Sequence, residues 1–249
     1  MTEGAAVAGD VHVPTPGAPE KAAVRSMFDR IAPRYDLLNR ILSAGTDVRW
    51  RRACVDLLAL RTGGRVLDLC SGTADLLIEA LRRDPGAAGV GVDLSSAMLV
   101  RGLAKLRHGG LAGRGRLAAG DAESLPLASE RFDGALVAFG IRNVGNAEAA
   151  FREVFRVLKP GGGFVVLEFS MPAGLLGVGY RFYFSRLLPW IGGLVSGDRG
   201  AYAYLPASVE RFPSPAAFSA LLEGAGFGSV TRCALTGGIA HLYRAERPA

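Results

Sequence analysis

The run Arg65-Val66-Leu67-Asp68-Leu69-Cys70-Ser71-Gly72-Thr73-Ala74-Asp75 constrains the fold more than any other stretch of this chain. An apolar segment reaches an acid, passes through a turn of small residues and enters a helix. Gly72 has no side chain to keep a ligand from the backbone, and the helix after it directs free N–H groups at the same place. A second apolar run, Ala-Gly-Val-Gly-Val at 88–92, ends in Asp93, one strand–helix unit later. A glycine turn after one strand and a carboxylate at the end of the next is how an open α/β sheet holds a nucleoside.

The nucleoside is not a dinucleotide. That fingerprint needs three glycines so that a pyrophosphate can rest on the helix N-terminus. Only Gly72 stands in this turn, and the helix opens with Asp75, which repels phosphate and suits a cationic or uncharged ligand.

Alternating patterns extend the fold around that turn. Strands are expected near 65–69, 88–93, 115–119, 133–139 and 163–169, with helices near 74–83, 96–107 and 146–158. A helix near 214–225 and two strands near 228–234 and 239–245 follow, the last two joined as a hairpin by Leu235-Thr236-Gly237-Gly238. The fold class is therefore α/β: a doubly wound, mostly parallel seven-stranded sheet with an antiparallel C-terminal strand. Ahead of it, a helical pattern from Lys21 breaks at Pro33, and a further helix is expected from Asp47 to about Leu60.

Length and composition fit one enzyme-sized domain. The 249 residues are 49% hydrophobic and 21% charged, enough for a packed core and too few charges for a disordered chain. Residues 1–20, with Pro14, Pro16 and Pro19, show no period and read as a flexible tail rather than a secretory signal. Residues 21–249 form the single domain, with 21–60 as a helical cover. Three scattered cysteines offer neither metal spacing nor a disulfide framework, so no metal is expected and a cytoplasmic location is. The net charge of +6 comes from arginines spread along the chain, without the aromatic-interleaved cluster that stacks bases, so no nucleic acid is expected.

Ligands of open α/β sheets sit outside the carboxyl ends of the strands. Asp68, Asp93, Asp121 and the pair Arg142-Asn143 all fall at such ends. Asp121 in Gly120-Asp121-Ala122 suits an adenine amino group, with the neighbouring backbone against the ring. Three acids at three successive strand ends point to one ligand.

The pattern D-x-x-S-G-T-A-D resembles motif I of the class I S-adenosylmethionine-dependent methyltransferases, with Ala74 in place of the usual last glycine. The resemblance narrows on Tyr35-Asp36-Leu37-Leu38-Asn39-Arg40-Ile41-Leu42-Ser43 followed by Trp50, and on Arg156-Val157-Leu158-Lys159-Pro160-Gly161-Gly162 leading to Glu168-Phe169-Ser170. Both resemble signatures of the quinone C-methyltransferases of menaquinone and ubiquinone biosynthesis. So do Phe139-Gly140-Ile141-Arg142-Asn143-Val144 and much of 180–213. Asp47 stands where that family usually carries histidine, and aspartate is read here as a cap for the helix that starts there.

That resemblance implies S-adenosylmethionine as methyl donor and a prenylated hydroquinone as acceptor, demethylmenaquinol first and the ubiquinone precursor second. It implies Asp68, Gly72, Thr73, Asp93, Asp121 and Ala122 as the cofactor set, with Asp68 facing the cation. Arg142 and Asn143 are the catalytic candidates, Arg142 to stabilise a phenolate or orient a water; Tyr35, Asp36 and Tyr180 are the substrate-binding candidates. The apolar stretch 171–206, interrupted by Arg181, Arg186 and Pro189, is too broken to span a membrane. It reads first as the wall of a prenyl pocket, then as a surface resting peripherally on the inner face of the membrane, then as the face of a homodimer. Other readings stay open: a methyltransferase for another small molecule, or a non-catalytic subunit that binds S-adenosylmethionine.

Overall fold

The computed structural model describes residues 20–172, 174–183 and 199–249. Residues 1–19 of the expected tail, and 184–198 with Trp190 and Pro189, lie outside the described residues.

A seven-stranded sheet runs in the order β3-β2-β1-β4-β5-β7-β6. Its strands are β1 (Arg65–Leu69), β2 (Ala88–Asp93), β3 (Gly115–Ala119), β4 (Phe132–Ala138), β5 (Leu158–Phe169), β6 (Gly228–Leu235) and β7 (Ala240–Glu246). The first five are parallel, while β7 runs antiparallel to both β5 and β6. Strand order reverses between β1 and β4, which opens a crevice at their carboxyl ends.

Alternation along each strand sorts the core into two layers. Leu67, Leu69, Ala135, Val137, Phe164 and Val166 face one side. They pack on Phe151 and Val154 of α6 (Ala147–Val157) and on Phe218 and Leu222 of the helix Pro215–Gly224. Val66, Leu136, Val165 and Leu167 face the other side. There they meet Cys54 and Leu58 of α3 (Thr46–Leu58) and Leu77 and Leu81 of α4 (Asp75–Arg83). Leu106 of α5 (Ser96–His108) joins the same layer.

The amino-terminal region differs from the expected pattern. Between α1 (Lys21–Ile31) and α3 lies a helix that the periodicity did not announce, α2 (Tyr35–Leu42), entered through a one-turn 3₁₀ segment, Ala32–Arg34. Pro33 ends α1, but in the first turn of the next segment its missing N–H costs nothing. Leu38, Ile31, Met98 and Val209 bury together beneath this region. The strand expected at 163–169 is also longer. It starts at Leu158, pairs with Phe132, shifts register through the glycines and resumes at Gly163 opposite Gly134. Gly161, at φ +75°, supplies the left-handed residue that this irregularity needs.

Candidate functional site

Two adjoining cavities open at the switch point, and Phe28, Tyr35, Phe139 and Asn143 line both. The first lies over the carboxyl ends of β1 to β4. Of the expected cofactor set, Gly72, Asp93, Asp121 and Ala122 line it. The second has a volume of about 560 Å³ and is mostly apolar. Arg142, Asn143, Tyr35 and Tyr180 of the expected residues line it, with Trp50, Phe169 and Ile239 among its walls.

The turn after β1 is tightly built. Cys70, Gly72 and Ala74 all hold positive φ, at +52°, +52° and +65°. For an alanine that conformation costs about 1–2 kcal/mol. Ala74 is fully buried, and room for its methyl comes from Gly102 of α5, where a Cβ would stand 3.1 Å from it. The substitution of the last glycine is thus matched by a missing side chain on the facing helix.

Asp93 is fixed by backbone N–H groups. Its Oδ2 accepts from the Gly72 N–H at 2.8 Å and its Oδ1 from the Ser95 N–H at 2.8 Å. Each carboxylate oxygen keeps a lone pair. Burial raises its pKa above the ordinary carboxylate value. Asp121 accepts from the Glu123 N–H at 3.0 Å and from Lys21 Nζ at 2.7 Å. Lys21 also reaches Glu123 at 2.7 Å, so α1 is tied across the mouth of this cavity. Asp29 of the same helix accepts from Ser95 Oγ at 2.6 Å. Lys21, Asp29 and Ser95 were missed by sequence reasoning, since no motif marks them; only the docking of α1 brings them here.

Three expected residues sit elsewhere. Asp68 lines neither cavity. It shares the strand face of Val66, turned toward α4, and is 1% exposed; its Oδ2 accepts from the Leu77 N–H at 3.0 Å. It therefore satisfies an N–H in the first turn of α4. Burial pushes its carboxyl up to about 8. Thr73 and Asp36 also line neither cavity. Thr73 Oγ1 donates to Asp36 Oδ1 at 2.6 Å, and Lys105 donates to Asp36 Oδ2 at 3.1 Å and to Asp75. The pair Asp36–Thr73 ties the cover to the turn.

Arg142 and Asn143 form a 3₁₀ turn after β4. Arg142 Nη1 donates to Glu168 Oε1 at 2.6 Å and to the Phe139 carbonyl. Glu168 is completely buried, so the guanidinium charge is locally offset. Arg142 Nε and Asn143 Oδ1 are buried without a hydrogen-bond partner, in residues that line the apolar cavity. The guanidinium also lies 5.4 Å from the centre of the Phe169 ring.

Phe139 separates the cavities. Its φ of +58° is strained for a bulky residue. Its ring stacks on Phe169 at 4.3 Å, and Trp50 approaches both at 6.1 Å. Gly140 follows because a Cβ there would fall 2.4 Å from Cys70 Cβ. Burial raises the Tyr35 and Tyr180 hydroxyl pKa values, so both rings stay neutral.

Asp47 does not cap α3. Gly45 is the N-cap residue, and the Asp47 carboxylate accepts from Ser43 Oγ at 2.7 Å and from Arg51, with Arg40 Nε at 3.9 Å. It is 4% exposed and lines the apolar cavity. Among the described residues, no group of three or more His, Cys, Asp or Glu could hold a metal ion.

Comparisons with known proteins identify the family and the fold. Residues 17–247 match the model of the ubiE/COQ5 methyltransferase family. The chain is 49% identical to a demethylmenaquinone methyltransferase of Thermus thermophilus, over 89% of this chain and all of that protein. It is 52% identical to a ubiquinone/menaquinone biosynthesis C-methyltransferase UbiE of Syntrophotalea carbinolica, over 88% of this chain and 92% of that one. The fold is that of a Thermotoga maritima S-adenosylmethionine-dependent methyltransferase at 21% identity, with a TM-score of 0.63 over 90% of this chain and 99% of that one. A phosphoethanolamine N-methyltransferase of Haemonchus contortus, solved with S-adenosylmethionine, matches with a TM-score of 0.64 at 16% identity, over 94% of this chain and 61% of that one. With a family match over nearly the whole chain and relatives about half identical to it, the chain belongs to the ubiE/COQ5 methyltransferase family.

Proposed function

We propose that this chain methylates the unsubstituted ring carbon of a prenylated hydroquinone, converting demethylmenaquinol to menaquinol, with the ubiquinone precursor as a second acceptor. The observation that carries this reading is the pair of adjoining cavities with Phe139 and Asn143 between them. One is walled by strand-end carboxylates, and the other is apolar and large enough for a ring and part of its chain.

The residues present fit S-adenosylmethionine. Asp93 keeps acceptor capacity for ribose hydroxyls, Asp121 and Ala122 stand where an adenine edge would be read, and Gly72 leaves the turn open. The bound donor supplies a methyl group already activated on sulfonium. The protein's share is alignment and exclusion of water. Trp50, Phe139 and Phe169 offer flat faces for the acceptor ring. Arg142 and Asn143 line the same cavity and supply polar side chains for its oxygens. With the Arg142 charge offset by Glu168, this site orients a phenolic oxygen and is no strong base.

Residues 21–249 work as one domain in this reading, with 21–60 as cover and 171–206 over the acceptor. Tyr180, Tyr204 and Leu205 in the cavity wall support the second part. The protein is cytoplasmic and meets the inner face of the membrane peripherally, where such an acceptor resides. No helix among the described residues is long and apolar enough to cross a membrane. The test is a methyl-transfer assay with labelled S-adenosylmethionine, offering demethylmenaquinol and the ubiquinol precursor side by side. Label in neither product overturns the reading.

A further inference from the structure

We infer that Asp47 is the proton acceptor for the acceptor's ring hydroxyl. This rests on the hydroquinone reading above. A hydroquinone carbon becomes nucleophilic when its hydroxyl loses a proton, so the apolar cavity needs a base within it. Among the described residues lining that cavity, Asp47 is the one carboxylate, and none is a histidine. The other titratable groups there are tyrosines and arginines, which are protonated at neutral pH.

The surroundings of Asp47 suit a resident anion. It is 4% exposed, yet its carboxylate is held by Ser43 Oγ at 2.7 Å and by Arg51 one turn along α3. Arg40, from α2, stands at 3.9 Å. Beyond Arg51 lies Asp75 of α4, at 3.4 Å, which shares the guanidinium. Asp75 is paired in turn with Lys105 of α5. Asp47 is thus an ion-paired carboxylate, held in place by neighbouring helices, in the wall of an otherwise apolar cavity.

The step balances as follows. The hydroxyl O–H bond breaks and its proton passes to an Asp47 oxygen, while the electron pair stays with the ring. The ring carbon forms its bond to the methyl carbon, and the sulfur keeps the pair of the bond that breaks. The hydrogen on the methylated carbon leaves to water as a proton. Asp47 returns its own proton to the ring oxygen and ends as a carboxylate.

Asp47→Asn and Asp47→His test this in the full chain. Fluorescence of Trp50, in a chain whose other tryptophan, Trp190, is replaced by Phe in parent and variants alike, reports quinol binding; calorimetry reports S-adenosylmethionine binding, and single-turnover methyl transfer is followed against pH with a short-chain demethylmenaquinol. Asp47→Asn is expected to lower the transfer rate about 100-fold at pH 7, with both affinities within threefold of the parent. Its residual rate should climb with pH as the quinol ionises unaided. Asp47→His should recover at least tenfold over Asp47→Asn, with its acidic limb moved up toward the imidazole range. An Asp47→Asn rate within fivefold of the parent overturns the inference. So does loss of folding or cofactor binding in both variants, or an unmoved acidic limb in Asp47→His. An inactive parent protein would instead sink the hydroquinone reading itself.

Discussion

The Thr73 hydroxyl donates to the Asp36 carboxylate at 2.6 Å, joining the helical cover to the turn that follows the first strand. Asp36 comes from α2 and Thr73 from the turn that leads into α4, so the position of the cover and the shape of the turn are coupled. Hydrogen bonds to charged groups contribute about 1.5–3 kcal/mol. Asp36→Ala should therefore weaken S-adenosylmethionine binding about tenfold by calorimetry. It should also expose α2 to limited proteolysis in the absence of ligand. Unchanged affinity and protection would show the cover to be held by its apolar contacts alone.

The Arg142–Glu168 pair is buried on both sides. Removing one partner of such a pair leaves an uncompensated charge and costs about 3–5 kcal/mol. Glu168→Ala should lower unfolding free energy in urea by about that amount, and Glu168→Gln by less, because the amide still accepts. A Glu168→Ala protein as stable as its parent would contradict the burial of this charge.

Asp68 makes the fold pH-sensitive. Its carboxyl is pushed up to about 8 in the fold, from an ordinary value near 3.8 when the chain is unfolded. Between these values the folded state holds a proton that the unfolded state has lost, so stability falls as pH rises. The contribution is complete below about pH 4 and is lost as pH passes through about 8. Asp68→Asn mimics the protonated acid and still accepts from Leu77. It should flatten the fall in thermal midpoint between pH 5 and 8.5; an unchanged slope would assign the proton elsewhere.

Ala74 and Gly102 should be coupled. Ala74→Gly relieves a left-handed alanine and is expected to raise stability by about 1 kcal/mol. Gly102→Ala places a methyl 3.1 Å from Ala74 Cβ and 2.9 Å from Leu117 Cδ1 and should destabilise by about 1–3 kcal/mol. Combining the two should recover part of that loss, since one of the clashing methyls is gone. Strict additivity of the denaturation free energies would mean that the pair does not interact.

Much of the lining of the first cavity is legible in the sequence. The strand-end acids, the glycine turn and the alternation of strands with helices are local patterns, and Gly72, Asp93, Asp121 and Ala122 come together as those patterns require. Asp68 shows the limit. Its place at a strand end was readable, but strand alternation turned it toward α4, and no motif records which face a helix will cover. Asp36 and Thr73 are hydrogen-bonded to each other, a pairing that no local pattern announces. Aspartate is often a helix cap, but Gly45 holds that position ahead of Asp47, whose carboxylate pairs with Arg51.

Local sequence order determined the doubly wound sheet, the glycine turn and the family signatures, because each depends on residues within one strand–turn–helix unit. Tertiary structure alone decided that Lys21 and Asp29 reach across from α1 and that Phe139 divides two cavities. It also decided that Glu168 offsets Arg142 and that Asp47 lines the apolar cavity. Those relationships join residues 26 to 100 positions apart in the chain. Only the packing of helices onto the sheet sets such distances, through burial of apolar faces that do not depend on where the polar groups are placed.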